Sequence, residues 1–348
     1  MTQRCYLDWN ATAPLRPEAR DAMIAAMDVV GNPSAVHAEG RAARGAVERA
    51  RAQVAAALGA DGADIVFTSG ATEAAALALA GRSLHCAEIE HDAVRAWADP
   101  VLPVAADGRV AVSQPDCSTL QLANSETGVV QTLPEGLAVT DLTQAFGKIP
   151  FAFNWLGCEM GFVSAHKLGG PKGVGALVLR RGTDLAAQLR GGGQEMGRRA
   201  GTENVAAIAG FGAAAEAAAR DLADGIWESV AQIRNILENA LADAAAWIIF
   251  VGQDAPRLPN TSCFAVEGWK SETQVMRMDL EGFAISAGSA CASGKVRTGR
   301  VPLAMGLTPA LASGAVRVSI GPRTREDDVL RFARGWAAHL AKVRARSA

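Results

Sequence analysis

Ser164-Ala165-His166-Lys167 follows an apolar run and leads into Gly169-Gly170-Pro171-Lys172-Gly173. A lysine at a strand end among glycines, beside a serine and a histidine, is set for chemistry rather than for solvation. Burial disfavours its ammonium form and so releases the amine as a nucleophile. Such an amine suits an imine with an aldehyde cofactor, pyridoxal phosphate above all. Ser164 and His166 are then further donors to the cofactor's phosphate. The second reactive candidate is Cys291, within Ser286-Ala287-Gly288-Ser289-Ala290-Cys291-Ala292-Ser293-Gly294. Small residues on both sides suit a loop that moves, so this thiol reads as a nucleophile able to travel. A structural cysteine is more often flanked by large apolar residues.

Four other groups carry two readings each. Gly70-Ala71-Thr72 stands where a strand turns into a helix. Its backbone amides and hydroxyl make either a phosphate seat or an ordinary helix cap. Asp141 ends an apolar strand, where its carboxylate either pairs with a pyridinium nitrogen, keeping the ring electron-accepting, or caps a helix. Gln144, three residues on, reaches the phenolic oxygen of the same ring. His91, after Ile89-Glu90, either stacks on a flat ring and moves protons or caps the next helix. Arg317, a charge inside the strand pattern Val316-Arg317-Val318-Ser319, is either an ion-pair partner or a fork for a substrate carboxylate.

The elements that must position these groups alternate. Apolar runs at 64–68, 84–89, 101–105, 120–123, 137–140, 158–164 and 175–179 read as strands, with helical segments between several of them. Helices are expected over 17–30, 39–58, 205–220 and 226–245, the second ending at Gly59. This rhythm predicts an α/β fold with a mostly parallel central sheet covered on both faces. After the turn at Pro256 to Pro259 the order changes. Short strands at 261–266, 283–286 and 316–320, with helices at 272–280 and 326–340, predict a smaller α+β domain. We place a large domain at 16–252 and a small one at 1–15 plus 253–348.

With 348 residues, the chain exceeds what one core usually serves, which favours this division. Apolar residues make up 49%, charged residues 20%, and the formal net charge is −2. That balance is too little basic for nucleic acid as the main ligand. The start, Met1-Thr2-Gln3-Arg4-Cys5, has no apolar signal core, and the alanine-rich stretches are broken by charges. A cytoplasmic protein without a membrane span is expected. Six cysteines stand at 5, 86, 117, 158, 263 and 291 with no Cys-x-x-Cys pair. Reduced thiols and no metal site are therefore expected.

In chain order, YLDWNAT from Tyr6, GNPSAVHAEGRAAR from Gly31, IVFTSGATE from Ile65, IEHDAV from Ile89 and NSETGVVQ from Asn124 form a series. It continues with DLTQAFGKIP from Asp141, SAHKLGGPKGVGAL from Ser164, GGGQEMGRRAGTEN from Gly191, SAGSACASG from Ser286 and VRVSIG from Val316. These segments resemble cysteine desulfurases of the NifS/IscS type, within the aminotransferase class V enzymes that use pyridoxal phosphate. The resemblance implies the aspartate aminotransferase-like fold, fold type I. It implies that Lys167 binds the cofactor, that Asp141 and Gln144 meet the ring's nitrogen and phenolic oxygen, and that His91 stacks on the ring. Ala71, Thr72, Ser164 and His166 fall to the phosphate, and Thr202 to the phosphate of a second subunit, which implies a homodimer. Arg317 and Asn10 fall to the substrate, and Cys291 to the thiol that carries a persulfide.

The implied activity converts L-cysteine to L-alanine, passing sulfur to an acceptor or scaffold protein for iron–sulfur cluster biogenesis or thiolation. Two departures stand out. Ser125 replaces an asparagine that lies over the cofactor in the family, and the segments 80–102 and 126–141 are short. They keep two alternatives open: a lyase or aminotransferase on selenocysteine or cysteine sulfinate, and a scaffold paralogue with weakened catalysis.

Overall fold

The computed structural model describes residues 4–288 and 299–347. The chain enters through a short strand, β1 (Cys5–Tyr6), and two helices, α1 (Pro17–Met27) and α2 (Ala38–Leu58). Pro17 opens α1, where a missing amide hydrogen costs nothing. The His37 side chain caps the start of α2, and Gly59, left-handed at φ 59°, closes it. Next come β2 (Asp64–Thr68), α3 (Ala71–Leu79), β3 (His85–Ala87), α4 (Asp92–Arg95) and β4 (Asp99–Leu102). They lead to β5 (Thr119–Gln121), β6 (Val139–Asp141), β7 (Met160–Ser164) and β8 (Gly175–Leu179). Two long helices follow, α5 (Val205–Ala223) and α6 (Ile226–Ala244).

The central sheet has the order β2-β8-β7-β6-β5. β5, β6 and β7 pair in parallel, whereas β8 runs antiparallel to both β7 and β2. The sheet is therefore mixed, with β8 alone running against four strands of one direction. The cause is local. Only the short turn through Ala165–Lys167 and the glycines after it joins β7 to β8, and a link without a crossover helix returns the strand antiparallel. Side chains alternate across the sheet as the pleat requires. Ile65 and Phe67 enter a core with α2 and α5, while Val66 enters another with Ala74 and Ala78 of α3. Gly212 lets α5 lie close on α2, since a Cβ there would stand 2.7 Å from the Ala50 Cα.

The remaining elements are β9 (Ile249–Phe250), β10 (Thr261–Ala265), α7 (Ser271–Leu280), β11 (Phe283–Ala284), α8 (Arg300–Ala304), α9 (Pro309–Ala312), β12 (Ala315–Ser319) and α10 (Glu326–Ser347). β10 sits between β12 and β9, antiparallel to both, and β1 pairs in parallel with β11. Their core is aromatic: Trp336 stacks on Trp269 at 5.7 Å and meets the edge of Phe264 at 5.3 Å. Trp227, Val230, Leu237 and Leu241 of α6 join this core, although the sequence division at 253 puts that helix with the large domain.

Candidate active site

Strands that share one direction open on one edge of a sheet, and ligands collect there. Thr68 ends β2, Gln121 ends β5, Asp141 ends β6 and Ser164 ends β7. The loops that follow them, with Asn10 from the N-terminal segment and Arg317 from β12, line one cavity of ≈ 530 Å³. Ala71, Thr72, His91, Ser125, Asp141, Gln144, Ser164, His166 and Lys167 all reach it. Thr202 is exposed and does not line it. Cys291 lies outside the described residues.

Lys167 ends the short turn after β7. Its Nζ donates to the carbonyls of Asn10 (2.7 Å) and Ala11 (3.0 Å), which hold the amine at the cavity wall. Asp141 accepts the Thr143 amide at 2.8 Å. Burial raises its pKa, against the Thr143 hydrogen bonds and the charges of His91 and Lys167. The Asp141 carboxylate thus closes a turn, with no helix to cap, and lines the cavity. His91 likewise caps α4, its Nδ1 accepting the Ala93 amide at 3.1 Å. A neutral ring in that bond carries its proton on Nε2.

The α3 N-terminus opens into the same space. Among the described residues no side chain caps it, and its N-cap is Gly70 at φ 155°. Gly175 of β8 lies against Gly70 so closely that a Cβ would stand 2.8 Å from Gly70 backbone atoms. This contact seats the helix start on the sheet. Ser164, His166 and Lys172 line the same cavity. The His166 ring nitrogen lies 3.1 Å from Thr12 Oγ1, and burial with nearby Lys167 and Lys172 lowers its pKa to about 4. A neutral imidazole at neutral pH is the result.

Arg317 is buried. It donates to Asp8 Oδ1 at 2.7 Å and to the Ser125 carbonyl at 2.9 Å. Its ion pair is therefore real, yet its buried Nε has no partner among the described residues. Asn10 also lines the cavity, with its carboxamide bonded to Thr261, the Ser125 carbonyl, Asn260 and Lys148.

The donor set fits pyridoxal phosphate. It offers an amine, a carboxylate and an uncapped helix start for an anion, and two of its lining residues, Arg317 and Thr143, carry buried polar atoms with no partner among the described residues. The volume suits a ligand of that size.

Sequence reasoning passed over Lys148, Lys172 and Glu90. Lys148 follows Gln144 by four positions, and Lys172 stands among turn glycines, so spacing offered a hint for both. Glu90 is wholly buried, with Oε1 accepting the Gln121 amide at 2.7 Å and Oε2 unpartnered among the described residues. Burial pushes its pKa well up. Of the described thiols, Cys5, Cys86, Cys158 and Cys263 are buried, and burial raises them to about 11, 12, 12 and 12. Thiols so raised are poor nucleophiles. Cys117 is exposed and stands away from the cavity lining.

The family model "Aminotransferase class-V" matches residues 5–99 and 113–332, and the chain belongs to that family. The cysteine desulfurase of Cereibacter sphaeroides is 38% identical over 368 residues, covering 95% of this chain and 94% of the relative. Cysteine desulfurase IscS of Dictyoglomus turgidum is 34% identical over 368 residues, covering 94% and 92%. The crystal structure of a NifS-like protein from Rickettsia africae superposes with a TM-score of 0.89 at 28% identity, covering 97% of this chain and all of that one. The fold is that of the fold type I enzymes.

Proposed function

We propose that the chain is a pyridoxal phosphate-dependent cysteine desulfurase that converts L-cysteine to L-alanine and takes the sulfur onto Cys291. The observation that carries this reading is the meeting, in one cavity, of the Lys167 amine, the Asp141 carboxylate, the uncapped start of α3 and Arg317. Relatives named for the same activity over nearly the whole chain support it.

Lys167 would hold the cofactor, with Thr72, Ala71, Ser164 and His166 at its phosphate and Asp141 and Gln144 at its ring. When bound, the cofactor supplies an aldehyde for the substrate's amino group and a ring that accepts the electron pair of the α-carbon. Asp141, in a dry setting, holds a proton at the ring nitrogen. Arg317, with Ser125 beside it, would bind the substrate carboxylate. Lys167 Nζ takes the α-proton and returns one, and His91 moves protons near the same centre. The Cys291 thiolate forms an S–S bond as the substrate's C–S bond breaks. Atoms balance: thiol plus cysteine gives persulfide plus alanine.

A second copy of the chain would bring Thr202 to the phosphate, which makes the working unit a homodimer. The terminal sulfur then passes to an acceptor or iron–sulfur scaffold protein, in a reducing cytoplasm. The purified protein with cofactor should be yellow and should release sulfide and alanine in equal amounts from L-cysteine under reductant. Cys291→Ser should keep the colour and lose the sulfide. Sulfide release at the wild-type rate by that variant would falsify the persulfide role.

A further inference from the structure

Lys148 is 3% exposed and is not among the residues that line the cavity. It stands one shell behind the wall. Its Nζ donates to Gln144 Oε1 at 2.7 Å and to Asn10 Oδ1 at 3.2 Å. Both acceptors are neutral carboxamides, and among the described residues no carboxylate pairs with it. The charges facing it are cations: Lys167 from the turn after β7 and Arg317 from β12. A neutral amine has two N–H groups for these two acceptors, whereas an ammonium has a third with no acceptor to meet. Burial lowers the pKa of Lys148 well below the usual lysine range, and the two cations add to this.

An amide cannot choose its own orientation. Gln144 Oε1 is fixed by Lys148, so Nε2 is the end left to meet the Asn10 carbonyl at 3.0 Å and the cavity. Asn10 is fixed in the same way, its Oδ1 held by Lys148 and Asn260 and its Nδ2 turned to Thr261 and Ser125. The Asn10 carbonyl in turn receives the Lys167 amine. One buried amine therefore holds the oxygen ends of two amides next to the reactive lysine, while the Asn10 and Ser125 carbonyls receive their N–H ends.

We propose that Lys148 is a positioning residue that locks the Gln144 carboxamide with its N–H turned toward the cofactor's phenolic oxygen. The proposal rests on the cofactor reading above. It is tested on the holoenzyme with Lys148→Met, which keeps the stem and removes the donors, and with Gln144→Ala alone and in combination. The readouts are the pH midpoint of the cofactor's visible band and the dissociation constant for pyridoxal phosphate added to the apoprotein. Loss of a neutral hydrogen bond to the phenolic oxygen should raise the midpoint of Lys148→Met by about half to one pH unit. It should weaken the cofactor by roughly 3- to 10-fold. Lys148→Gln, which restores an N–H-donating group on a shorter stem, should recover part of both and serves as the second variant where Lys148→Met does not fold. In the Gln144→Ala background, Lys148→Met should shift the midpoint no further. A wild-type midpoint in Lys148→Met, or an equal shift with and without Gln144, would overturn the proposal. A wild-type protein that takes up no pyridoxal phosphate would instead overturn the cofactor reading.

Discussion

His166 and Asp141 face one cavity with opposite electrostatic problems. Burial lowers His166 to about 4 and raises Asp141, and in each case it favours the neutral form. The two have opposite consequences for stability. The unfolded chain protonates His166 near its ordinary 6.5, so its contribution is present above that pH. It is lost as pH falls through the window from about 6.5 to 4. Asp141, Glu90 and Glu126, all raised by burial, bind protons more readily when folded and so oppose that loss. The effect of His166 is therefore read as a difference. His166→Gln should flatten the fall in urea midpoint between pH 6.5 and 4.5 relative to the parent. Parallel curves for the two proteins would show that the imidazole does not titrate this way. The chemistry-bearing types at Lys167, Asp141, Gln144 and Arg317 were legible because each is a polar residue inside or ending an apolar run. Lys148 was harder to see: its spacing from Gln144 is only a hint, and nothing else in Ala145-Phe146-Gly147-Lys148 says that its side chain turns inward.

Among the elements, β8 and α3 meet at the candidate anion seat. Gly175 pairs with Thr68 on one side and Ser164 on the other, and it lies under Gly70. A methyl group there would also stand 2.5 Å from the Val163 carbonyl. The end of β7 or the helix start must then give way, and these carry the candidate phosphate donors Ser164 and Ala71-Thr72. Gly175→Ala should weaken pyridoxal phosphate by at least about tenfold and lower stability by about 1–3 kcal/mol. Titration of the apoprotein and urea unfolding measure the two. An unchanged dissociation constant would mean that α3 does not depend on this contact. β2 and β8 were read from sequence to the residue, because each is an apolar run bounded by turn residues. β3 to β6 shifted by one to three positions, since their ends are set by partners far away in the chain. The direction of β8 was not legible either, because pairing sense is a property of the connection and not of the strand.

At the scale of the molecule, the site draws on both halves of the fold. Asp8, just past β1, accepts Arg317 Nη2 at 2.7 Å with one carboxylate oxygen and the Ser286 hydroxyl at 2.8 Å with the other. Arg317 in turn donates to the Ser125 carbonyl, which leads back to the central sheet. Its side chain is 3% exposed and that of Asp8 15%. A pair so enclosed is not screened as a surface pair would be, and removing one partner strands the other charge. Asn at position 8 keeps the shape and the acceptor oxygen but removes the charge. Asp8→Asn should therefore lower the unfolding free energy by about 2–4 kcal/mol, somewhat less than full removal of a buried partner. Asp8→Asn placed on Arg317→Met should cost much less than it does alone, because no guanidinium is then left uncompensated. Urea unfolding of the single and double variants measures the coupling. Additive costs would mean that Asp8 braces Ser286 and the N-terminal segment on its own account, and that the charge of Arg317 is balanced elsewhere.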